Sequence, residues 1–466
     1  MAEIVLPTKA LAVNPLKTSQ PIGASLAFLG LARTMPLEHG ARGCTSFNKL
    51  FFMRHFNDPI ALQTTAMDQV TTIIGADDNV VEALATICAK DQPDIIGLIT
   101  TGLSEMQADD VPRTDPAFRA AQQQFAEVAV VRLSATDTLG CLETGYALAV
   151  EALVDFLVPK ALVDFLVPKR RDNLTRARQV NVLVPAMMTP GDVEALRDWI
   201  TAFGLHPVML PDVADSLDGH LIDEGFSTLT YGGTLRADIE TMHQSQATLV
   251  IGRSLDRAAD RLAERTGIAD FRFAGLMGLE ACDTFSSTLC DIAGIAMPPA
   301  ILRKRSQLMD AMVDCQFQLG GARVAVAADA DLLASLTRFF HGMGAEVVAA
   351  VASARAAHLA ELPVDEVVVG DLEDLEWLAR DKSAELIVAN SHGAEAARRL
   401  GSAHLRTGFP IYDSYGDHAK AWIGYGGTRR ALFETANLLA THYQEIRPYR
   451  SRYWQGTRRE KETNPC

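Results

Sequence analysis

Cys44 stands in the run Glu38-His39-Gly40-Ala41-Arg42-Gly43-Cys44-Thr45-Ser46-Phe47, a turn punctuated by two glycines in four positions. Glycine tolerates backbone angles that other residues resist, and the residues behind the turn read as a helix with Phe47, Leu50, Phe51 and Phe56 on one apolar stripe. Cys44 is thereby expected at or just before a helix N-terminus. There the helix dipole and nearby Arg42 favour the thiolate, the form that attacks electrophiles or binds metal. The other reading of a lone cysteine, a small apolar residue in the core, stays open on these grounds. His39 suits a hydrogen bond that orients the turn better than direct ligation.

The remaining chemistry-bearing residues are sparse. Seven cysteines, at 44, 88, 141, 282, 290, 315 and 466, form no CxxC pair and no zinc spacing, so they read as reduced thiols rather than a disulfide framework. A cubane iron–sulfur cluster wants four thiolates, and no local group here supplies them. No GxxxxGK[ST] or GxGxxG follows a strand, which leaves a nucleotide-binding enzyme without support. Tyr231-Gly232-Gly233-Thr234 reads as a turn at a sheet edge, and Asn390-Ser391-His392 as a loop at the carboxyl edge of a parallel sheet, able to line a cleft between domains.

The elements that must position Cys44 follow from length and pattern. A chain of 466 residues exceeds one ordinary core and points to about three domains. A net charge of -15 repels phosphate backbones and anionic lipid surfaces, so neither nucleic acid nor membrane is an expected partner. Met1 to Gln20 hold no basic region followed by an apolar core, and no later apolar run reaches membrane-spanning length, which makes the cytoplasm the expected location.

Residues 1–20 read as an arm lying on another element. Short apolar runs then alternate with helical patterns. Strands are expected at Asp94–Thr100, Glu127–Leu133, Val180–Val184, Pro207–Leu210, Ala247–Gly252, Arg323–Ala327, Glu346–Val351, Glu366–Val369 and Glu385–Ala389. Helices are expected at Asn79–Ala89, Asp115–Phe125, from near Glu143, Pro190–Phe203, Leu255–Thr266, Ala300–Leu319, Asp329–Met343 and Arg429–Tyr443. This is an α/β pattern of three Rossmann-like, doubly wound parallel-sheet domains around a central cleft, with right-handed crossovers. The boundaries expected are 1–177, 178–298 and 299–446, with 447–466 a polar tail of six basic and two acidic residues. The nonapeptide Ala152–Lys160 recurs without a difference as 161–169. Solenoid repeats need longer periods and several copies, so the first copy is expected to finish a helix and the second to be an extra surface bulge.

Gly23-Ala24-Ser25-Leu26-Ala27-Phe28-Leu29-Gly30, Met35-Pro36-Leu37-Glu38-His39-Gly40, Gly43-Cys44, Arg54-His55-Phe56 and Asp58-Pro59 together resemble the opening of the nitrogenase component 1 superfamily, on its β-subunit side. Further matches, among them Leu210-Pro211-Asp212, Gly232-Gly233-Thr234, Gly370-Asp371-Leu372-Glu373 and Gly408-Phe409-Pro410, extend the resemblance over nearly the whole chain. In that family the cysteine of the His-Gly-x-x-Gly-Cys turn ligates an iron–sulfur cluster between two homologous subunits, a role the resemblance carries onto Cys44. Catalytic β subunits give three cysteines to an eight-iron cluster, whereas here Leu62 and Gly102 stand where the second and third are expected. Neither residue can hold iron.

That departure is similar to the scaffold branch of the superfamily, on whose complexes the iron–molybdenum cofactor matures. The resemblance then implies a [4Fe-4S] cluster with one ligand, Cys44, from this chain and three from a homologous partner in an α2β2 heterotetramer. It also implies a cofactor precursor held mainly on the partner, a donor of that precursor, and the nitrogenase iron protein as electron source. Cys141 falls near a serine that catalytic relatives hold beside their cluster, which would put Cys141, like His39, next to the iron without making it a ligand. A biosynthetic scaffold subunit is thus expected rather than an enzyme by itself. The alternative is the β subunit of a catalytic reductase, either molybdenum–iron nitrogenase or dark-operative protochlorophyllide reductase.

Overall fold

Apolar runs such as Ile95-Ile96-Gly97-Leu98-Ile99 can be buried on both faces only between layers of helices, and the chain places them there. The computed structural model describes residues 1–11, 14–107, 118, 123–136, 138–160, 175–221 and 227–442. It contains three sheets, and every strand pairing in them is parallel.

After β1 (Glu3–Val5), the first unit runs α1 (Gln20–Leu29), β2 (Thr34–His39), α2 (Arg42–Phe56), β3 (Gln63–Thr64), α3 (Thr71–Ile74), α4 (Asp77–Asp91), β4 (Ile95–Thr100), α5 (Gly102–Gln107), β5 (Ala129–Ser134) and α6 (Leu142–Leu157). Its sheet has the order β3-β2-β4-β5. The second unit is β6 (Gln179–Leu183), α7 (Pro190–Thr201), β7 (His206–Leu210), α8 (Val213–Ser216), α9 (Arg236–Thr241), β8 (Ala247–Ile251), α10 (Asp256–Thr266), β9 (Asp270–Phe273) and α11 (Leu279–Ala293), with sheet order β7-β6-β8-β9.

The long helix α12 (Pro299–Leu319) leads into the third unit: β10 (Arg323–Ala328), α13 (Ala330–Gly342), β11 (Glu346–Ala352), β12 (Glu366–Val369), α14 (Leu372–Asp381), β13 (Leu386–Ala389), α15 (Ala394–Leu400), β14 (Ala403–Arg406) and α16 (Gly424–His442). Its sheet order is β1-β12-β11-β10-β13-β14. One continuous apolar core draws residues from all three units, and no described helix is long and apolar enough to cross a membrane.

The N-terminal arm does more than lie on the surface. Glu3, Ile4 and Val5 pair with Glu366, Val367 and Val368 as an edge strand of the third sheet. Lys9 then binds Asp371, Glu373 and Asp374 at 3.3, 2.6 and 3.1 Å, across the N-terminus of α14. A three-residue strand carries no periodicity of its own, which is why the pattern did not show it. The four-residue strands β9 and β14 are equally short, whereas the helices α11 and α14, of 15 and 10 residues, carry a helical period that the sequence reading left unassigned. Most of the expected helix Asp115–Phe125, the second nonapeptide 161–169 and the tail 447–466 lie outside the described residues.

The first nonapeptide copy completes α6. Leu153, Val154, Leu157 and Val158 are buried, and Asp155 lies 3.6 and 3.8 Å from Arg261 and Arg265 of α10. The Arg265 Nε–H donates to the Val158 carbonyl at 2.8 Å. With these contacts satisfied by copy one, deleting 161–169 is expected to leave folding and assembly intact, measured as the yield of soluble complex; a large drop would show that the second copy packs.

Candidate metal centre

β2 delivers the cysteine turn at the carboxyl edge of the first sheet, and the neighbouring strand exits clamp it. The Gly40 carbonyl accepts the Met67 N–H at 3.0 Å and the Thr64 hydroxyl at 3.1 Å, both from the segment around β3. On the other side, the hydroxyl of Thr101, just past β4, donates to the His39 carbonyl at 2.9 Å. The buried Glu38 carboxylate accepts from Ser25 at 3.0 Å and Asn48 at 2.8 Å, tying α2 to β2 and α1. Gly102, the first residue of α5, directly follows Thr101 and so lies beside this turn, whereas Leu62 stands one residue before Gln63, which pairs with Leu37 further back along β2.

Local detail differs from the sequence reading in two respects. Neither Gly40 nor Gly43 has a positive φ. Gly40 is small because a Cβ there would lie 2.6 Å from the Thr101 hydroxyl, whereas a Cβ at Gly43 would meet nothing within 4 Å. The apolar stripe on α2 also divides. Thr45, Asn48, Phe52 and Phe56 form its buried face, while Phe47 is 65% and Leu50 50% exposed, with Met53 alongside them. The helix carries two apolar faces, and counting apolar residues merged them.

Cys44 is the third residue of α2, whose N-cap, Ala41, offers no side-chain cap. Of the described cysteines only Cys44 is exposed; Cys88, Cys141, Cys282 and Cys315 are buried and Cys290 is partly so. An exposed thiol in the first turn of a helix, where the helix dipole favours negative charge, suits a thiolate ligand. No group of three or more His, Cys, Asp or Glu among the described residues could hold a metal ion. The donor set thus fits one ligand from this chain to a shared group, and does not fit a complete site within it.

His39 is fully buried, and its Nδ1 lies 2.8 Å from the Thr65 hydroxyl. The ring braces the turn against the β3 segment, a contact that a buried imidazole needs. Cys141 precedes α6, with its N–H donating to the Thr144 hydroxyl at 2.8 Å. Burial pushes its thiol far above the usual range, with Asp329 and Glu143 adding to the shift, so Cys141 is held as a neutral thiol facing the third unit.

The sequence pointed to a central cleft with Asn390 able to line it, but not to the cleft's other lining residues, which lie hundreds of residues apart. A central cavity of about 90 Å³ is lined from all three units, including Glu143 and Tyr146 of α6, Met187 and Asp192, Asp329, Asn390, Thr407 and Phe409. At about 10–15 Å³ per water it has room for a handful of waters, and no cysteine lines it. His55 reaches this cavity from the end of α2. Its Nδ1 accepts the Ile411 N–H at 3.0 Å, and its ring lies 4.8 Å from that of Phe409.

Burial, reinforced by His418, lowers the His55 pKa to about 4. The unfolded chain takes up a proton near pH 6.5 that the folded chain refuses until about 4, so this contribution is complete above pH 6.5 and is lost as pH falls through that window. Allowing for partial solvent contact of the ring, the loss should reach about 2 kcal/mol. His55→Asn keeps an acceptor for Ile411 but does not titrate. The stability difference between the two proteins should therefore narrow between pH 7 and pH 5 in denaturant titrations; a constant difference would contradict the assignment.

The fold and this turn define a component 1 chain, and comparison with known proteins agrees. The family model for nitrogenase component 1 type oxidoreductase matches residues 19–440, and the chain belongs to that family. Within it, the chain is similar to the nitrogenase iron-molybdenum cofactor biosynthesis protein NifN of Klebsiella pneumoniae, 43% identical over 451 residues, covering 97% of this chain and 96% of that protein. NifN of Bradyrhizobium diazoefficiens is 42% identical, covering 96% and 93%. Among solved structures, a chain of nitrogenase Cp1 at pH 6.5 superposes with a TM-score of 0.87 at 27% identity, covering 97% of this chain and 98% of that one.

Proposed function

We propose that this chain is the β-like subunit of a scaffold complex on which the nitrogenase iron–molybdenum cofactor is assembled, paired with a homologous NifE-like subunit in an α2β2 heterotetramer. Cys44 is the one ligand this chain gives to a [4Fe-4S] cluster shared across that interface. The observation that carries the reading is the exposed Cys44 thiol in the first turn of α2, with leucine at 62 and glycine at 102 where the catalytic β subunits would hold their further cysteines. NifN relatives at 43% and 42% identity support the biosynthetic branch.

Surface chemistry supports the partner. Phe47, Leu50 and Met53 continue from Cys44 along the outer face of α2, as an apolar interface centred on the cluster would require. A second exposed stripe, Leu302, Met309, Val313 and Phe317 on α12, supplies the further contact that a four-chain assembly needs. When bound, the cluster supplies an electron relay from the nitrogenase iron protein. The central cavity, with no thiolate and little volume, agrees with a precursor that arrives from its donor and sits mainly on the partner.

The reductase reading is separated from this one by turnover. The purified complex should activate a cofactor-free nitrogenase component 1 when given iron protein, molybdenum and homocitrate, and should reduce neither acetylene nor protochlorophyllide. Sustained reduction of either substrate would overturn the scaffold assignment.

A further inference from the structure

Three carboxyl groups meet where the three units join, two of them, Glu143 and Asp329, at the wall of the central cavity and the third, Asp331, behind it. Asp331, in the first turn of α13, is 1% exposed. Its carboxylate accepts the Arg253 N–H at 3.0 Å, the Ser254 N–H at 3.1 Å and the Ser254 hydroxyl at 2.6 Å, all from the turn that follows β8 in the second unit. Glu143, in the first turn of α6, is 4% exposed, and its Oε2 accepts the Asp331 N–H at 2.8 Å. The first unit therefore caps a helix of the third, and the same aspartate holds the second. Gly252, at φ +82°, makes room for this contact, since a Cβ there would lie 2.4 Å from Asp331 Oδ2.

The other titratable groups facing the junction come from each element packed on it. Asp329 accepts a hydrogen bond from the Ser353 hydroxyl and lies close enough to the Cys141 thiol to raise its proton affinity. The His358 ring stands 3.3 Å from Asp331 Oδ1, and the Arg253 guanidinium turns away to Asp256 at 2.9 Å. Asp331 accepts three donors, yet burial raises its proton affinity, as it does that of Asp329. Glu143 has a single N–H, and burial together with Asp331 and Asp329 raises its proton affinity well above the ordinary carboxyl range. As a neutral acid, Glu143 still accepts the Asp331 N–H. Ionised, it sets another negative charge beside Asp331 in a site with little water to screen it.

We propose that Glu143, Asp329 and Asp331 form a proton-linked latch that joins the three units at the cavity wall, closed while Glu143 carries its proton and loosened when that proton leaves. The latch rests on the junction's own geometry and does not depend on what the chain assembles.

Amide hydrogen exchange in the complete complex, corrected for intrinsic rates, reads the latch at Arg253, Ser254 and Asp331. As pH rises through the titration of Glu143, protection at these amides should fall by about tenfold or more in the wild type, and should stay flat in Glu143→Gln, which keeps an acceptor but cannot ionise. Ser254→Ala, which removes a contact without touching the carboxyls, should lower protection at every pH and keep the wild-type slope. A flat wild-type profile, or equal slopes in the wild type and Glu143→Gln, would overturn the proposal; the wild-type profile decides the matter even where a variant fails to fold.

Discussion

Cys44→Ala is expected to yield a complex that assembles but loses iron from its interface cluster. One thiolate of four disappears, leaving an iron open to water or a substitute ligand. The reduced-state electron paramagnetic resonance signal should change, and cofactor maturation should fall with it, because electrons from the iron protein lose their relay. Cys88, Cys282 and Cys315 are buried thiols in the cores around them. Their alanine variants should cost on the order of 1 kcal/mol in stability and leave the signal as it was. Cys141→Ala should affect mainly the junction with Asp329, with at most a small change in the signal. Unchanged iron and signal in Cys44→Ala would end the assignment, since no other described cysteine is exposed.

The second large effect concerns the face beside that thiol. Phe47→Asp with Leu50→Asp should abolish recovery of the partner in co-purification while preserving the circular dichroism of the chain. Each large apolar side chain contributes about 1.5–3 kcal/mol on full burial, so losing two and burying two charges in their place outweighs what an interface tolerates. The chain itself should hardly respond, because both residues face outward. Phe52→Ala on the opposite, fully buried face should do the reverse, costing about 3–5 kcal/mol of fold stability. If the double aspartate variant still bound its partner, the cluster-bearing face would have to lie elsewhere.

What could be read from the sequence tracks how local the determining contacts are. Strands such as Glu366–Val369 and Ala247–Ile251 hold the apolar runs Val367-Val368-Val369 and Leu249-Val250-Ile251, whose burial needs no knowledge of distant neighbours. Strand β1 was invisible because its partner lies some 360 residues away, and three residues hold no period. The start of α2 was legible from the glycine turn, yet the reason for Gly40 was not. It lies in Thr101, brought alongside by β4. In the same way the composition of α2 announced an apolar helix, but only packing divided its core face from its exposed one. The carboxyl junction of Glu143, Asp329 and Asp331 left no mark in the sequence, since acidic residues at helix starts usually serve as caps.

The most direct measurement is the iron and acid-labile sulfide content of the anaerobically co-purified complex, set beside that of this chain expressed alone. About four iron and four sulfide are expected per pair of subunits beyond any precursor, and none held stably by the isolated chain. A colourless, iron-free complex, or a complete cluster on this chain by itself, would contradict the shared cluster.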